Sequence, residues 1–204
     1  MNVFEAIEKR RAVKLFDPEA KIRPEDERRM LDAARLAPTA FNMQNWRFVK
    51  VRDPEIRAGI RAAAWDQAQM TEASLLVVIC ADLKAWKRQP ERYWAHAPAA
   101  FRELIVRSMQ DFYRGRPDME RDEAMRSCGL AAMNLMLAAQ ALGYDTCPMD
   151  GFDFERVGEL IALPEDHVIG LIVAIGRQRE PVWPRGGRLS ADEVVFEDRF
   201  PADD

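Results

Sequence analysis

What this chain has little of already narrows its chemistry. It carries only two histidines, His96 and His167, and three cysteines, Cys80, Cys128 and Cys147, with no C-x-x-C among them. A zinc site therefore lacks enough ligands at workable spacing, and an odd, scattered set of thiols reads as buried residues in a reducing compartment. A basic excess is missing too. The 30 Lys and Arg stand against 34 Asp and Glu, for a net charge of -4, which argues against a dedicated nucleic-acid binder. No stretch approaches the roughly 18 to 20 apolar residues that span a bilayer. Residues 1–11 are charged and helix-patterned where a secretion signal would be apolar. A soluble, cytoplasmic protein is expected. G-x-G-x-x-G is also absent, so no dinucleotide fingerprint announces a nicotinamide site.

What is present suits one globular domain over residues 1–204, with 48% hydrophobic and 31% charged residues. Asn2 is placed to cap a short helix to about residue 10. A basic, extended stretch follows over 11–16, closed by Asp17 and Pro18. Pro24 opens a helix with Glu25, Asp26 and Glu27 in its first turn, where the dipole favours acids, and the pattern runs on until just before Pro38. Strands are expected at 46–51, 75–80, 145–149 and 168–175, the second so continuously apolar that both its faces must be covered. Helices fit 54–64, where Asp53 and Pro54 start it, two segments from Ala99 divided near Gly115 and Pro117, and 153–161, capped by Asp153.

The segment 86–94 is aromatic and charged without a clear period, and reads as a loop or a mobile helical insertion. The helix over 119–142 is apolar almost all round, so it belongs in a core or against a partner subunit. Gly143 ends it. After Gly176 the character changes. The tail over 177–204 has three prolines, adjacent Gly186 and Gly187, and five arginines, yet also Val182, Trp183, Val194, Val195 and Phe196. Such a tail has no room for its own core and is expected to dock on a second chain. Helices alternating with short buried strands place the fold in the α/β or α+β class.

Four segments hold residue types suited to a ligand. Arg10, Arg11 and Lys14 put three cations within five residues of extended chain, and planar guanidinium forks suit phosphate. By itself this is as readily a solvated basic turn. In the loop after the second helix, Asn42 and Gln44 are amides at spacing two, able to donate and accept, although such amides more often satisfy nearby backbone. Pro148, Met149, Asp150 and Gly151 close a buried strand, where α/β proteins bind ligands, but an ordinary strand-to-helix turn explains them equally well. Arg185 and Arg188 flank the two tail glycines.

In identity, order and spacing these segments together resemble the nitroreductase family of FMN enzymes. The likeness rests on Arg-Arg-x-x-Lys from Arg10, on the run from Ala37 through Pro38, Thr39, Ala40, Asn42 and Gln44 to Trp46, and on Leu142, Gly143 and Tyr144 followed by 148–151. It implies an α+β, three-layer α/β/α-like fold, a central and mostly antiparallel sheet wrapped by helices. It further implies an intertwined homodimer whose C-terminal tails embrace the partner, with FMN at the interface. Arg10 and Arg188 would then hold the phosphate, with Arg185 assisting and Arg11 and Ala12 beside it. Lys14 would lie near the pyrimidine edge, Asn42 and Gln44 would bond ribityl and pyrimidine groups, Gln44 from the other subunit, and 148–151 would border the isoalloxazine ring.

The sequence departs from the pattern at three places. Ala12 stands where the family often has Ser, at a cost on the order of 1 kcal/mol for a missing hydrogen bond. Asp66 aligns with a family Asn and Gln69 with a frequent Lys, so a negative charge is expected near the pyrimidine. Asn45 replaces a common Pro. The implied activity is ping-pong transfer of reducing equivalents from NAD(P)H through FMN to a nitroaromatic, quinone or related small acceptor, with the aromatic region 86–113 shaping the acceptor pocket and no side chain required as acid or base. Two alternatives remain: a non-catalytic FMN-binding or sensing protein on the same scaffold, and a helical interaction protein whose apolar helix is only a dimer seam.

Overall fold

A computed structural model describes residues 1–201. The strand β2 (Leu75–Asp82) shows how the layers arise. Leu75, Val77, Ile79 and Ala81 pack to one side of it, while Leu76, Val78 and Cys80 pack to the other. Two apolar faces on one strand demand a cover on each side of the sheet. With β1 (Trp46–Val51), β3 (Asp145–Met149) and β4 (His167–Gly176) it forms one sheet in the order β1-β2-β4-β3, and every neighbouring pair is antiparallel. The expected α+β fold with a helix-wrapped antiparallel sheet is therefore present. β2 runs two residues beyond the expected 75–80, because Ala81 and Asp82 still pair with Val168 and His167.

One face is covered by α2 (Pro24–Ala34) and α6 (Pro117–Ala141), whose Met30, Ala124, Cys128, Leu135 and Ala139 meet β2 and β4. The other is covered by Val13 and Phe16 of the N-terminal segment, by α3 (Pro54–Ala63) through Ile60, by Met70 of the one-turn helix α4 (Gln69–Glu72), and by Val157 of α7 (Phe154–Leu160). Local signals set several helix starts. The Asn2 side chain accepts from Glu5 N at 3.0 Å to open α1 (Val3–Lys9), and Asp153 accepts from Arg156 N at 3.0 Å to open α7.

Two readings change. α2 ends at Ala34 rather than just before Pro38, and residues 35–37 close it in tight turn bonds. The segment after β2 is not a loose insertion. It forms two short 3-10 turns, Ala85–Lys87 and Pro90–Trp94, ahead of α5 (Ala99–Tyr113), and Trp86 Nε1 donates to buried Glu120 at 2.7 Å. On α6, Leu130 and Met133 are 47% and 44% exposed on the outer side, while most of its other apolar residues fill the core as expected. The tail carries one further turn of helix, α8 (Ala191–Val194).

Candidate functional site

The N-terminal segment and the tail lie side by side. Phe16 bridges Gln178, Arg179 N donates to Leu15 O at 3.0 Å, and Ala12 bridges Thr146 of β3. This pairing brings the two arginine groups together. Arg11 Nη2 donates to Trp183 O at 2.6 Å, and Arg185 Nη2 donates to the carbonyls of Glu8 and Arg10 at 2.8 and 3.0 Å. Burial, together with the charges of Arg185, Arg11 and Arg188, pushes the Arg10 guanidinium below its ordinary value. Among the described residues no carboxylate forms an ion pair with Arg10, Arg11, Lys14, Arg185 or Arg188. Guanidiniums crowded together without an acid raise each other's energy, and an anion relieves it. A cavity of about 350 Å³ opens beside them, lined by 11–15 and by 180–183.

Next to this cradle lies Cys147 of β3. Burial pushes its thiol up, while Lys14, Gln69 and Arg10 pull in the opposite direction. Gln69 is buried and donates to Gln67 Oε1 at 3.1 Å, and Gln67 donates to Gly151 O at 2.8 Å. Two hydrogen-bonded amides thus tie the start of α4 to the segment after β3. Trp65 and Asp66 both have left-handed backbone, φ 51° and 59°, which is uncommon outside glycine. That turn swings the Trp65 ring against Gly151, where a Cβ would meet Cζ3 at 3.2 Å, and leaves the indole 73% exposed. The Asp66 carboxylate turns to Arg61 Nε at 2.6 Å, which holds it below the ordinary aspartate range, so its charge is already paired. On their other side Met149 and Asp150 border a cavity of about 410 Å³ against Met125, Cys128 and Gly129 of α6.

Asn42 and Gln44 lie elsewhere, in the loop that leads into β1. β1 and β3 are opposite edges of the sheet with β4 and β2 between them, so roughly 14 Å, three strand spacings, separates the two edges. The loop is strained: Phe41, Asn42 and Gln44 have φ of 54°, 53° and 45°. Such residues cost about 1 kcal/mol or more each and persist only where the surroundings hold them. Here Glu123 Oε1 of α6 accepts from Ala40 N at 2.9 Å, Thr39 Oγ1 accepts from Gln44 N at 2.9 Å, and Trp94 Nε1 donates to Phe41 O at 3.0 Å. Asn42 Nδ2 donates to Tyr93 O at 3.1 Å, and the Gln44 amide reaches back to Asn42. Met43 packs into a small cluster with Ala85, Trp86, Met109 and Tyr113, so the aromatic segment and the loop share one core. Phe101 and Leu104 stay exposed.

Of the residues singled out in the sequence, the structure gathers Arg10, Arg11, Ala12, Lys14, Gln69, Arg185 and Arg188 with the segment 148–151, while Asn42 and Gln44 occupy a second place on the far edge. Sequence reasoning missed Trp65, Gln67 and Glu123. Nothing in the local pattern marks the first two, because a left-handed turn without glycine has no signature. Glu123 was visible only as one of several charged residues in the first half of α6.

The nitroreductase family model matches residues 7–177. Protein DrgA of Synechocystis is 51% identical over 180 residues, covering 88% of this chain and 86% of that protein. YodC of Bacillus subtilis, named for an assigned NAD(P)H nitroreductase activity, is 32% identical, with 95% and 97% covered. A crystal structure from Exiguobacterium sibiricum, assigned as a nitroreductase and solved in complex with FMN, superposes with a TM-score of 0.89 at 28% identity, covering 97% and 98%. The chain belongs to the nitroreductase family.

Proposed function

We propose that this chain binds FMN and acts as an NAD(P)H-dependent flavin oxidoreductase on a nitroaromatic, quinone or related small acceptor. The observation that carries the reading is the cluster of Arg10, Arg11, Arg185 and Arg188, drawn from both ends of the chain and paired with no carboxylate among the described residues. The donor set fits the cofactor: guanidiniums for a phosphate, amides for ribityl and pyrimidine groups, and a glycine backbone for close approach of a ring. The name of YodC and the FMN complex of the Exiguobacterium relative support it.

Arg10 and Arg188 would hold the phosphate. Arg185 and Arg11 latch the tail to the N-terminal segment through backbone carbonyls, which keeps the cationic groups converged. Lys14 would sit near the pyrimidine edge as a positive charge. The backbone of 148–151 would border the ring, with Gly151 kept in place by Gln67. When bound, FMN supplies the redox chemistry, accepting reducing equivalents from the nicotinamide and passing them to the acceptor in a ping-pong cycle. No side chain is needed as proton donor at these positions.

The split between the two sheet edges favours a homodimer in which Asn42 and Gln44 of one copy meet the cradle of the other. Trp183, Val195 and Phe200 of the tail are 88%, 68% and 77% exposed, which suits a tail over 177–204 embracing a partner, and the open side of α6 suits a seam. The Trp86 to Tyr113 region would wall the acceptor pocket through its exposed Phe101 and Leu104. No helix is long and apolar enough to cross a membrane among the described residues, and three buried, unpaired thiols suit a reducing cytoplasm.

An absorbance spectrum of the purified protein tests this, followed by addition of NADH or NADPH. Fast bleaching of a flavin spectrum, reversed by menadione or nitrofurazone, is the expected result. Bleaching by dithionite alone would favour a flavin-binding or sensing protein. Colourless protein that takes up no added FMN would end the proposal.

A further inference from the structure

Three of four consecutive residues at 41–44 hold left-handed backbone without a glycine among them. A loop that unfavourable does not stay in one shape unless fixed from outside. Beside the packing of Met43 and the Trp94 bond, α6 reaches the loop backbone through Glu123, a buried carboxylate. Oε1 accepts both from Ala40 N at 2.9 Å and from Ser127 Oγ at 3.1 Å, while Oε2 accepts from Arg126 at 3.0 Å. A buried carboxylate carries a desolvation penalty, offset here by these bonds. The same helix has a second buried acid one turn earlier. Glu120 holds Lys84 and Trp86 and touches no part of the loop, so each acid has its own task.

We propose that Glu123 is a positioning residue for the cofactor: by accepting the Ala40 N–H it holds the strained loop in the shape that presents Asn42 and Gln44 to the flavin. The inference rests on the function proposed above. Thr39 clasps the same loop from its outer end through Gln44 N. Loosening either clasp lets 41–44 relax out of the left-handed region, and the two amides then spend binding energy on being reordered.

The test uses the full-length protein as wild type and as Glu123→Ala, Glu123→Gln, Thr39→Val and Glu120→Gln, with the FMN dissociation constant, the flavin visible spectrum and the midpoint potential of bound FMN measured for each. Gln keeps an acceptor for Ala40 N but removes the charge facing Arg126. Glu123→Ala is expected to weaken FMN about tenfold or more, the size of one lost charge-assisted hydrogen bond, to shift the visible band and to move the midpoint potential to a more negative value. Glu123→Gln should stay within about threefold of wild type, rescued by its remaining acceptor. Thr39→Val, which removes no buried charge, should show a several-fold loss in the same direction even if Glu123→Ala folds poorly. Glu120→Gln should leave flavin affinity and potential unchanged.

If Glu123→Ala and Thr39→Val both keep wild-type affinity and potential, the inference is overturned while the flavin reading stands. The same follows if Glu123→Gln is as impaired as Glu123→Ala, since the role would then not be the Ala40 bond. Wild-type protein that takes up no FMN would overturn the function beneath both.

Discussion

Arg185 and Arg10, 175 positions apart, are joined by a hydrogen bond of 3.0 Å from a guanidinium to a backbone carbonyl. The contact is between two residues that repel by charge, and it holds because the donor bonds the chain of Arg10 rather than its side chain. The tail is thereby fixed where its arginines face those of the N-terminal segment.

Arg10→Ala and Arg188→Ala should each lose FMN. Removing one charge-assisted hydrogen bond to a phosphate corresponds to about 1.5–3 kcal/mol, or roughly ten- to a hundredfold in affinity. Fluorescence titration reports it, and gel filtration should strip the flavin from both variants. Full retention in both would refute the phosphate assignment.

Gly170 in β4 sits under α6, where an added Cβ would meet Cys128 Cβ at 2.5 Å and Sγ at 2.8 Å. Neither β4 nor α6 can move away without opening the core, so Gly170→Ala should destabilise the fold by about 1–3 kcal/mol, an overpacking effect. Denaturant unfolding measures it. Gly151→Ala is the contrast. Its neighbour at 3.2 Å is the tip of the exposed Trp65 ring, which can swing away, so stability should stay close to wild type. A drop matching that of Gly170→Ala would contradict this account of the two sites.

Arg23 (2.8 and 3.1 Å) and the Tyr144 hydroxyl (2.8 Å) hold the Asp26 carboxyl below its ordinary value. A depressed folded value means the contribution is complete above the ordinary aspartate value of 3.8 and is lost as pH falls through the folded one. Asp26→Asn should therefore show a shallower loss of stability than wild type as pH drops from about 5 to 2, at the expense of lower stability at pH 7. Denaturant midpoints across that range decide it, and parallel acid limbs would show that Asp26 carries none of the acid sensitivity.

Burial pushes the thiols of Cys80 and Cys128 up to about 12. At pH 8 only about one molecule in ten thousand then carries either as thiolate, and the thiolate is the reactive form. Native protein should leave both unlabelled by Ellman's reagent over minutes, with all three cysteines reacting once guanidinium unfolds it. Rapid labelling of either in the native state would show that the packing around α6 opens more readily than its burial implies.

Much of the frame was legible locally. Asn2 and Asp153 announced their helix starts through short side chains that bond nearby N–H groups, and 75–80 announced a doubly covered strand because no other element buries so continuous an apolar run. The arginine pairs and the glycine after β3 stood out by residue type. α2 was read too long because the helical pattern outlasts the turn that ends it. Asp66 was expected as a negative charge near the pyrimidine because it aligns with a family Asn; its pairing with Arg61 is set by a left-handed turn that leaves no mark in sequence.

The chain by itself determined the elements and the chemical inventory: caps, strand faces, guanidiniums, amides and buried thiols all follow from residue types a few positions apart. Tertiary structure alone decided which of these meet. The tail lies along the N-terminal segment, Glu123 grips the backbone at Ala40, and Asn42 and Gln44 sit on the far edge of the sheet from Gly151. Contacts between distant residues and backbone shapes held against their own preference depend on what surrounds them, and only the folded chain supplies those surroundings.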